Sequence, residues 1–169
     1  MEEQQIDFER GPKRPTFLSV LCILTFVFAG FATLSFLLKL ANGQPDFGLI
    51  EPELAKIQAQ ANQMRDMGNP GFAHMFEKLI NQQHIIFGKY MMYHLSHLIM
   101  FATGLVGAMF MFRGKKIGFH MYIIYSILYK FLEYIFFSPD NIVWFTSISG
   151  LIISGGFVLM YSRNLKWLK

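Results

Sequence analysis

The chain has 169 residues, of which 53% are hydrophobic, 17% aromatic and only 15% charged. A soluble domain usually carries about a quarter charged residues, so this composition excludes an ordinary soluble globular domain. The net charge of +4 would suggest a nucleic-acid partner in a soluble protein. Here the positive charges flank long apolar segments, so membrane topology explains them and we expect no nucleic-acid partner.

Four apolar segments have the length that a bilayer requires, which is roughly 20 residues. They cover residues 16–38, 90–112, 117–137 and 142–162. The first is too long for a secretory signal peptide, whose apolar core has about 7–15 residues, so it is interpreted as an uncleaved signal anchor. The one cysteine, Cys22, lies inside it and can form no intramolecular disulfide. The sequence therefore predicts four transmembrane helices.

Positive charges near the spans predict the orientation, because Lys and Arg accumulate on the cytoplasmic side. Three segments that must share one side carry three positive residues each, whereas the turn at 138–141 has none. These segments are the N-terminal tail (1–15), the turn at 113–116 and the C-terminal tail (163–169). We therefore expect both termini in the cytoplasm. The signal-anchor start and the compact loops favour a bacterial inner (plasma) membrane for this multi-pass protein, with an organellar membrane as the alternative.

Residues 39–89, between the first two spans, show two periodic runs separated by a turn. Leu54, Ile57, Ala61 and Met64 recur at helical spacing, and a second periodic run begins at Phe72. The sequence Gly-Asn-Pro-Gly at 68–71 between them is typical of a turn. The predicted fold is an all-α integral membrane protein, a four-transmembrane-helix bundle with an extracytoplasmic amphipathic helical hairpin between helices 1 and 2. The hairpin can cap the bundle, lie in the membrane interface or dock on a partner.

The third span is unusual because it contains Lys130 and Glu133, and ionisable residues inside a span are functional-site candidates. Spans joined by short turns are antiparallel neighbours, so equal rise per residue places Glu133 level with His97 and with Thr146. The same geometry places Lys130 level with Ser149. The predicted intramembrane polar cluster lies in the outer leaflet and has six members: His94, His97, Lys130, Glu133, Thr146 and Ser149.

Several interpretations of this cluster remain open. Lys130 and Glu133 can simply form an i, i+3 pair near a helix end, with both histidines as packing residues. A metal site can use His94, His97 and Glu133, with His74 or His84 from the hairpin, although the ligand set is incomplete and no cofactor can be named. Glu133 and His97 can instead carry protons or ions, or the tyrosine-rich face of the third span can line a lipid or quinone pocket.

Small residues mark faces suited to close helix packing, within the bundle or between protomers. They are Gly104 and Ala108 on the second span, and Gly150 and Ser154 on the fourth. No nucleotide-binding loop or other catalytic signature occurs. The leading hypothesis is a non-enzymatic accessory or structural subunit acting in the lipid bilayer through helix packing and its outer hairpin, with a protein partner or as a homo-oligomer. The alternative is a ligand-, metal- or proton/ion-handling membrane protein that uses the His/Glu/Lys cluster.

Overall fold

The computed structural model describes residues 15–168, and this part of the chain is helical with no strand. The orientation predicted from positive charges depends partly on the N-terminal tail and on Lys169. Residues 1–14 and Lys169 lie outside the described residues. Two short 3-10 helices, at Pro139–Asn141 and Leu165–Trp167, follow α5 and α6. The six α-helices are α1 (Thr16–Asn42), α2 (Phe47–Asp66), α3 (Pro70–Gly88), α4 (Tyr90–Phe112), α5 (Ile117–Phe136) and α6 (Trp144–Ser162).

Three of these helices are long and apolar enough to cross a membrane. They are α1, α4 and α6, with mean hydropathies of 2.4, 1.8 and 1.5 over their most apolar stretches. Helix α5 has 20 residues and contains Lys130 and Glu133, and it is not one of the three. The described part of the chain is therefore all-α with three helices that could cross a membrane, and the span predicted at 117–137, which corresponds to α5, is not among them.

Helix α4 lies between α1 and α5, and small residues let α5 approach it closely. A Cβ atom added to Gly118 would lie only 2.5 Å from the backbone nitrogen of Met111, so the two backbones nearly touch near their connecting turn. Gly114 makes this turn with a φ of +77°, in the left-handed region that favours glycine. Further along, the Tyr125 ring would lie 2.9 Å from a Cβ at Gly104, and Ala108 is fully buried.

Helix α6 lies at the side of this group and packs mainly against α5, with little contact to α1. Many of its large apolar side chains are exposed, including Phe145, Ile152 and Leu159. Near its end the buried Tyr161 hydroxyl shares a 2.8 Å hydrogen bond with Thr25 on α1. The two helices are thus joined at one end and separated along much of their length.

Helices α2 and α3 form a hairpin, with the turn at Gly68 in the left-handed region (φ +76°). Small or apolar side chains are buried between the helices: Leu54, Ala61 and Ala73. Arg65 and Glu77 form an ion pair across the hairpin. The hairpin therefore has its own small interface and does not depend on an extended contact with the bundle.

Helix α3 attaches the hairpin to the connection between α5 and α6. The Lys78 ammonium donates to the carbonyl oxygen of Ile142 at 3.2 Å, and the Gln82 amide donates to that of Asn141 at 2.8 Å. At the base of the hairpin, the Tyr90 hydroxyl donates to the Lys39 carbonyl at 2.9 Å. The hairpin, the end of α1 and the α5–α6 connection therefore meet at one end of the bundle.

Candidate functional site

Lys130, Glu133 and Ser147 form a closed hydrogen-bonded set between α5 and α6. The Lys130 ammonium lies 3.0 Å from Glu133 Oε2 and 3.2 Å from Ser147 Oγ. The Ser147 hydroxyl donates to the same carboxylate oxygen at 2.9 Å. The ammonium also lies over the Tyr129 ring, 5.0 Å from its centroid, where a cation is attracted to the ring face. We call these three residues the Lys–Glu–Ser triad.

The local sequence explains how the triad assembles. Lys130 and Glu133 are three residues apart on α5, so both side chains lie on neighbouring positions of one helix face. Ser147 lies in the first turn of α6, which runs back along α5 after the short connection. The side chains of Lys130 and Glu133 are only 15% and 17% exposed. Because desolvated charges are costly unless they are paired and hydrogen-bonded, the triad lets this part of α5 pack against α6.

His94 and His97 make different contacts from the triad. The Nδ1 atom of each ring lies 2.8 Å from a backbone carbonyl one turn earlier, at Tyr90 and Tyr93 respectively. Since a carbonyl only accepts, each Nδ1 carries a proton in this arrangement. The His97 ring lies between Phe36 of α1 and Tyr93, with centroids 5.3 and 4.0 Å away. Both histidines are buried and pack α4 against α1.

The two remaining residues of the predicted cluster bond to their own helix. Thr146 donates to the Val143 carbonyl at 2.8 Å, and Ser149 donates to that of Phe145 at 2.7 Å. Of the six predicted residues, the structure joins only Lys130 and Glu133 directly. Their hydrogen-bonding partner on α6 is Ser147, which the sequence analysis did not include in the cluster. The sequence could have indicated Ser147, because it directly follows Thr146, the residue predicted to be level with Glu133.

Metal-binding side chains are dispersed. Within residues 15–168, no group of three or more His, Cys, Asp or Glu side chains is placed to hold a metal ion. In the hairpin, His74 lies 3.4 Å from Glu77, and the His84 ring stacks on Phe47 with centroids 5.6 Å apart. Neither side chain is brought to His94, His97 and Glu133 as a further ligand. The geometry therefore gives the metal interpretation no additional ligand.

A crevice of about 410 Å³ opens between α1, α5 and α6, where α6 diverges from α1. Its lining is mostly apolar and aromatic and includes Tyr122, Tyr125 and Tyr129 of α5. Gly150 of α6 also lines it, and a Cβ there would lie 3.3 Å from the Lys130 ammonium. The Lys–Glu–Ser triad thus adjoins one part of the crevice wall. Ser154, predicted as a helix-packing residue, lines the crevice too.

Comparison with known proteins identifies no relative. No protein-family model matches the chain, and neither the curated proteins nor the solved structures include a significant match. The function of the protein is therefore inferred from its own side-chain contacts.

Proposed function

We propose that the protein is a non-enzymatic accessory or structural component of a membrane, acting through helix packing and through its helical hairpin. The observation that carries this proposal is the internal pairing of the candidate site. Lys130, Glu133 and Ser147 bond to one another, while both histidines bond to backbone carbonyls. Groups engaged in this way stabilise the contact between helices, which is the role of buried polar side chains in many membrane proteins.

The proposed topology has four spans, with α5 as the third. A helix of 20 residues is about 30 Å long, which matches the hydrocarbon thickness. Helix α5 also runs beside α4 along its length, from Gly118 at one end to Phe136 at the other, where the Phe136 ring lies 5.1 Å from that of Tyr93. Since α4 is itself a candidate span, α5 at the same depth returns the chain across the membrane. We propose that both termini face the cytoplasm, as the charge distribution predicts, and that the membrane is a bacterial inner membrane, as the signal-anchor start and compact loops suggest.

The hairpin is the proposed surface for a protein partner. Lys78 and Gln82 of α3 hold the hairpin against the α5–α6 connection by hydrogen bonds, so a partner bound to the hairpin would also be held close to this end of the bundle. At the opposite tip, Met67 and Phe72 are exposed on either side of the turn at Gly68. Large apolar side chains exposed together are typical of protein interfaces, which suits an accessory subunit.

Native mass spectrometry of the full chain, gently extracted from its own membrane, tests this proposal. We expect the protein to carry additional polypeptide mass, either a partner or further copies of itself. A control spectrum after mild dissociation gives the protomer mass and shows whether small molecules remain bound. A lone protomer carrying a stoichiometric metal ion would contradict the proposal and favour the alternative, in which Glu133 and the histidines handle an ion.

A further inference from the structure

The crevice between α1, α5 and α6 opens sideways, toward the region that lipid occupies around a membrane protein. Its rim includes Leu24, Phe28 and Ile153, which are more than half exposed. These residues lie near the middle of α1 and α6, both candidate spans. A molecule that enters here must therefore come from the hydrocarbon part of the bilayer, so it must itself be membrane-soluble.

The floor of the crevice contains a hydroxyl group that the protein leaves without a partner. Tyr125 lines the crevice and is only 8% exposed, yet its hydroxyl makes no hydrogen bond within the described part of the chain. Its ring is held in place by Gly104 on one side and by the neighbouring Tyr122 ring, 5.6 Å away. Because the one buried side-chain atom without a partner among the described residues is Ser126 Oγ, the Tyr125 hydroxyl is not sealed inside the protein but is accessible from the crevice. A ligand with a hydrogen-bond acceptor can therefore reach it and accept its proton in a hydrogen bond.

Charge and shape limit the ligand further. Among the described residues, no charged side chain lines the crevice. The nearby Lys130 ammonium, which lies behind Gly150, is paired with Glu133, so the site offers no net charge to an anionic lipid headgroup. The aromatic walls, which include Tyr122, Tyr125 and Tyr129, favour a planar ring that can stack on them. The volume of about 410 Å³ lies within the range of small-molecule sites, roughly 300–1,000 Å³.

We propose that this crevice binds an uncharged, membrane-soluble molecule with a planar, hydrogen-bond-accepting head and an apolar tail, of the isoprenoid quinone class. The Tyr125 hydroxyl donates to a carbonyl oxygen of the head, and the tail leaves between Leu24 and Ile153 into the bilayer. This site is distinct from the hairpin surface, so it can be tested independently of the proposed partner. Binding alone is proposed, without a redox reaction.

The probe is decylubiquinone, titrated into the purified full-length protein in detergent and followed by native mass spectrometry. We expect one molecule per protomer in the wild type. Tyr125→Phe removes the hydroxyl but keeps the ring, and should weaken binding roughly 2- to 10-fold, the range for one hydrogen bond. Ser154→Phe fills the crevice from α6 and should abolish the adduct. Ile152→Phe adds the same ring to an exposed position of α6 outside the crevice and should bind like the wild type.

The result that overturns the proposal is equal binding by the wild type and by both crevice variants. The absence of an adduct in the wild type would overturn it as well. Displacement of the probe by an equal concentration of a neutral phospholipid would show that the crevice takes acyl chains and not quinones. If Ser154→Phe fails to fold, judged by its elution in gel filtration, the comparison of Tyr125→Phe with Ile152→Phe decides the question.

Discussion

The Ser147 hydroxyl donates a 2.9 Å hydrogen bond to Glu133 Oε2, and this contact joins α6 to α5. The same oxygen accepts from Lys130 at 3.0 Å, so one carboxylate oxygen serves a side chain from its own helix and one from its neighbour. Helix α6 has few other polar contacts with the bundle, and much of its apolar surface is exposed. The Lys–Glu–Ser triad at one end of α6 and the hydrogen bond between Tyr161 and Thr25 at the other therefore both hold this helix in position.

Removing either side of this contact should weaken the packing of α6. Ser147→Ala deletes both hydrogen bonds that this hydroxyl makes to α5, with Glu133 and Lys130, and should lower the free energy of unfolding by about 1–2 kcal/mol. Glu133→Gln leaves the Lys130 charge without its counter-ion and should cost more, about 1–3 kcal/mol. Unfolding in mixed detergent micelles, followed by circular dichroism, measures both changes.

Two control variants make this prediction specific. Ser149→Ala removes a hydroxyl that bonds only to the backbone of its own helix, at Phe145, and should have a smaller effect than Ser147→Ala. The double variant Lys130→Met/Glu133→Leu replaces the pair with apolar side chains and should recover stability relative to Glu133→Gln. Equal losses for Ser147→Ala and Ser149→Ala would show that the contact to Glu133 contributes nothing.

Close approach of α4 and α5 makes Gly118 intolerant of any side chain. Gly118→Ala places a Cβ within 2.5 Å of the Met111 backbone nitrogen, so the helices must separate. We expect a loss of about 1–3 kcal/mol, the usual cost of overpacking. The matched control is Gly155→Ala on α6, where the new Cβ meets no atom within 4 Å beyond the local helix backbone and its chain neighbours, and stability should change by less than about 1 kcal/mol. Similar melting temperatures for both variants would contradict the close packing.

The attachment of the hairpin should be visible in hydrogen exchange. Gln82→Ala removes the 2.8 Å hydrogen bond to the Asn141 carbonyl, and Lys78→Ala removes the bond to Ile142. The double variant should increase amide exchange in α3 and in residues 138–143 while leaving α4 unchanged. Gln83→Ala, at the neighbouring exposed position, is the control. Unaltered exchange in α3 of the double variant would mean that other contacts hold the hairpin.

The four-span topology predicts opposite sides for the two ends of α5. Lys115→Cys and Asp140→Cys each introduce one exposed thiol, while the native Cys22 is fully buried. A membrane-impermeant maleimide applied to intact cells should label Asp140→Cys, but should label Lys115→Cys only after the membrane is opened. The unmodified chain controls for Cys22. Labelling of both variants from the same side would exclude α5 as a span.

Depth along the helices was accessible from the sequence, because short turns fix which residues of antiparallel helices are level. Equal rise per residue about the turn at 113–116 also makes Gly104 level with Tyr125, and these two residues are in contact. The direction in which each side chain faces was harder to predict. Thr146 lies beside Ser147 at almost the same depth, yet Ser147 faces Glu133 and Thr146 bonds to its own helix. The difference depends on how α6 is rotated about its axis. The sequence hardly determines this rotation, because apolar side chains occur around most of the helix.

The histidines illustrate a second limit of sequence reasoning. Depth placed His97 level with Glu133, but the aromatic side chains around it determine its environment. Phe36 from α1, distant in sequence, stacks on the ring, and the Tyr93 carbonyl accepts a hydrogen bond from Nδ1. The crevice likewise results from the way α6 diverges from α1, and no local sequence pattern encodes such a divergence.

We propose that the protein acts through its hairpin and its packed helices, and not through chemistry at Glu133. The most direct test compares partner recovery, from the native membrane, by Glu133→Gln and by the tip variant Met67→Ser/Phe72→Ser, at equal amounts of inserted protein. Gln60→Ser/Asn62→Ser, at exposed polar positions of α2, is the control. We expect the tip variant to lose the co-purified polypeptide while Glu133→Gln and the control retain it. Loss in Glu133→Gln with full recovery by the tip variant would contradict the account.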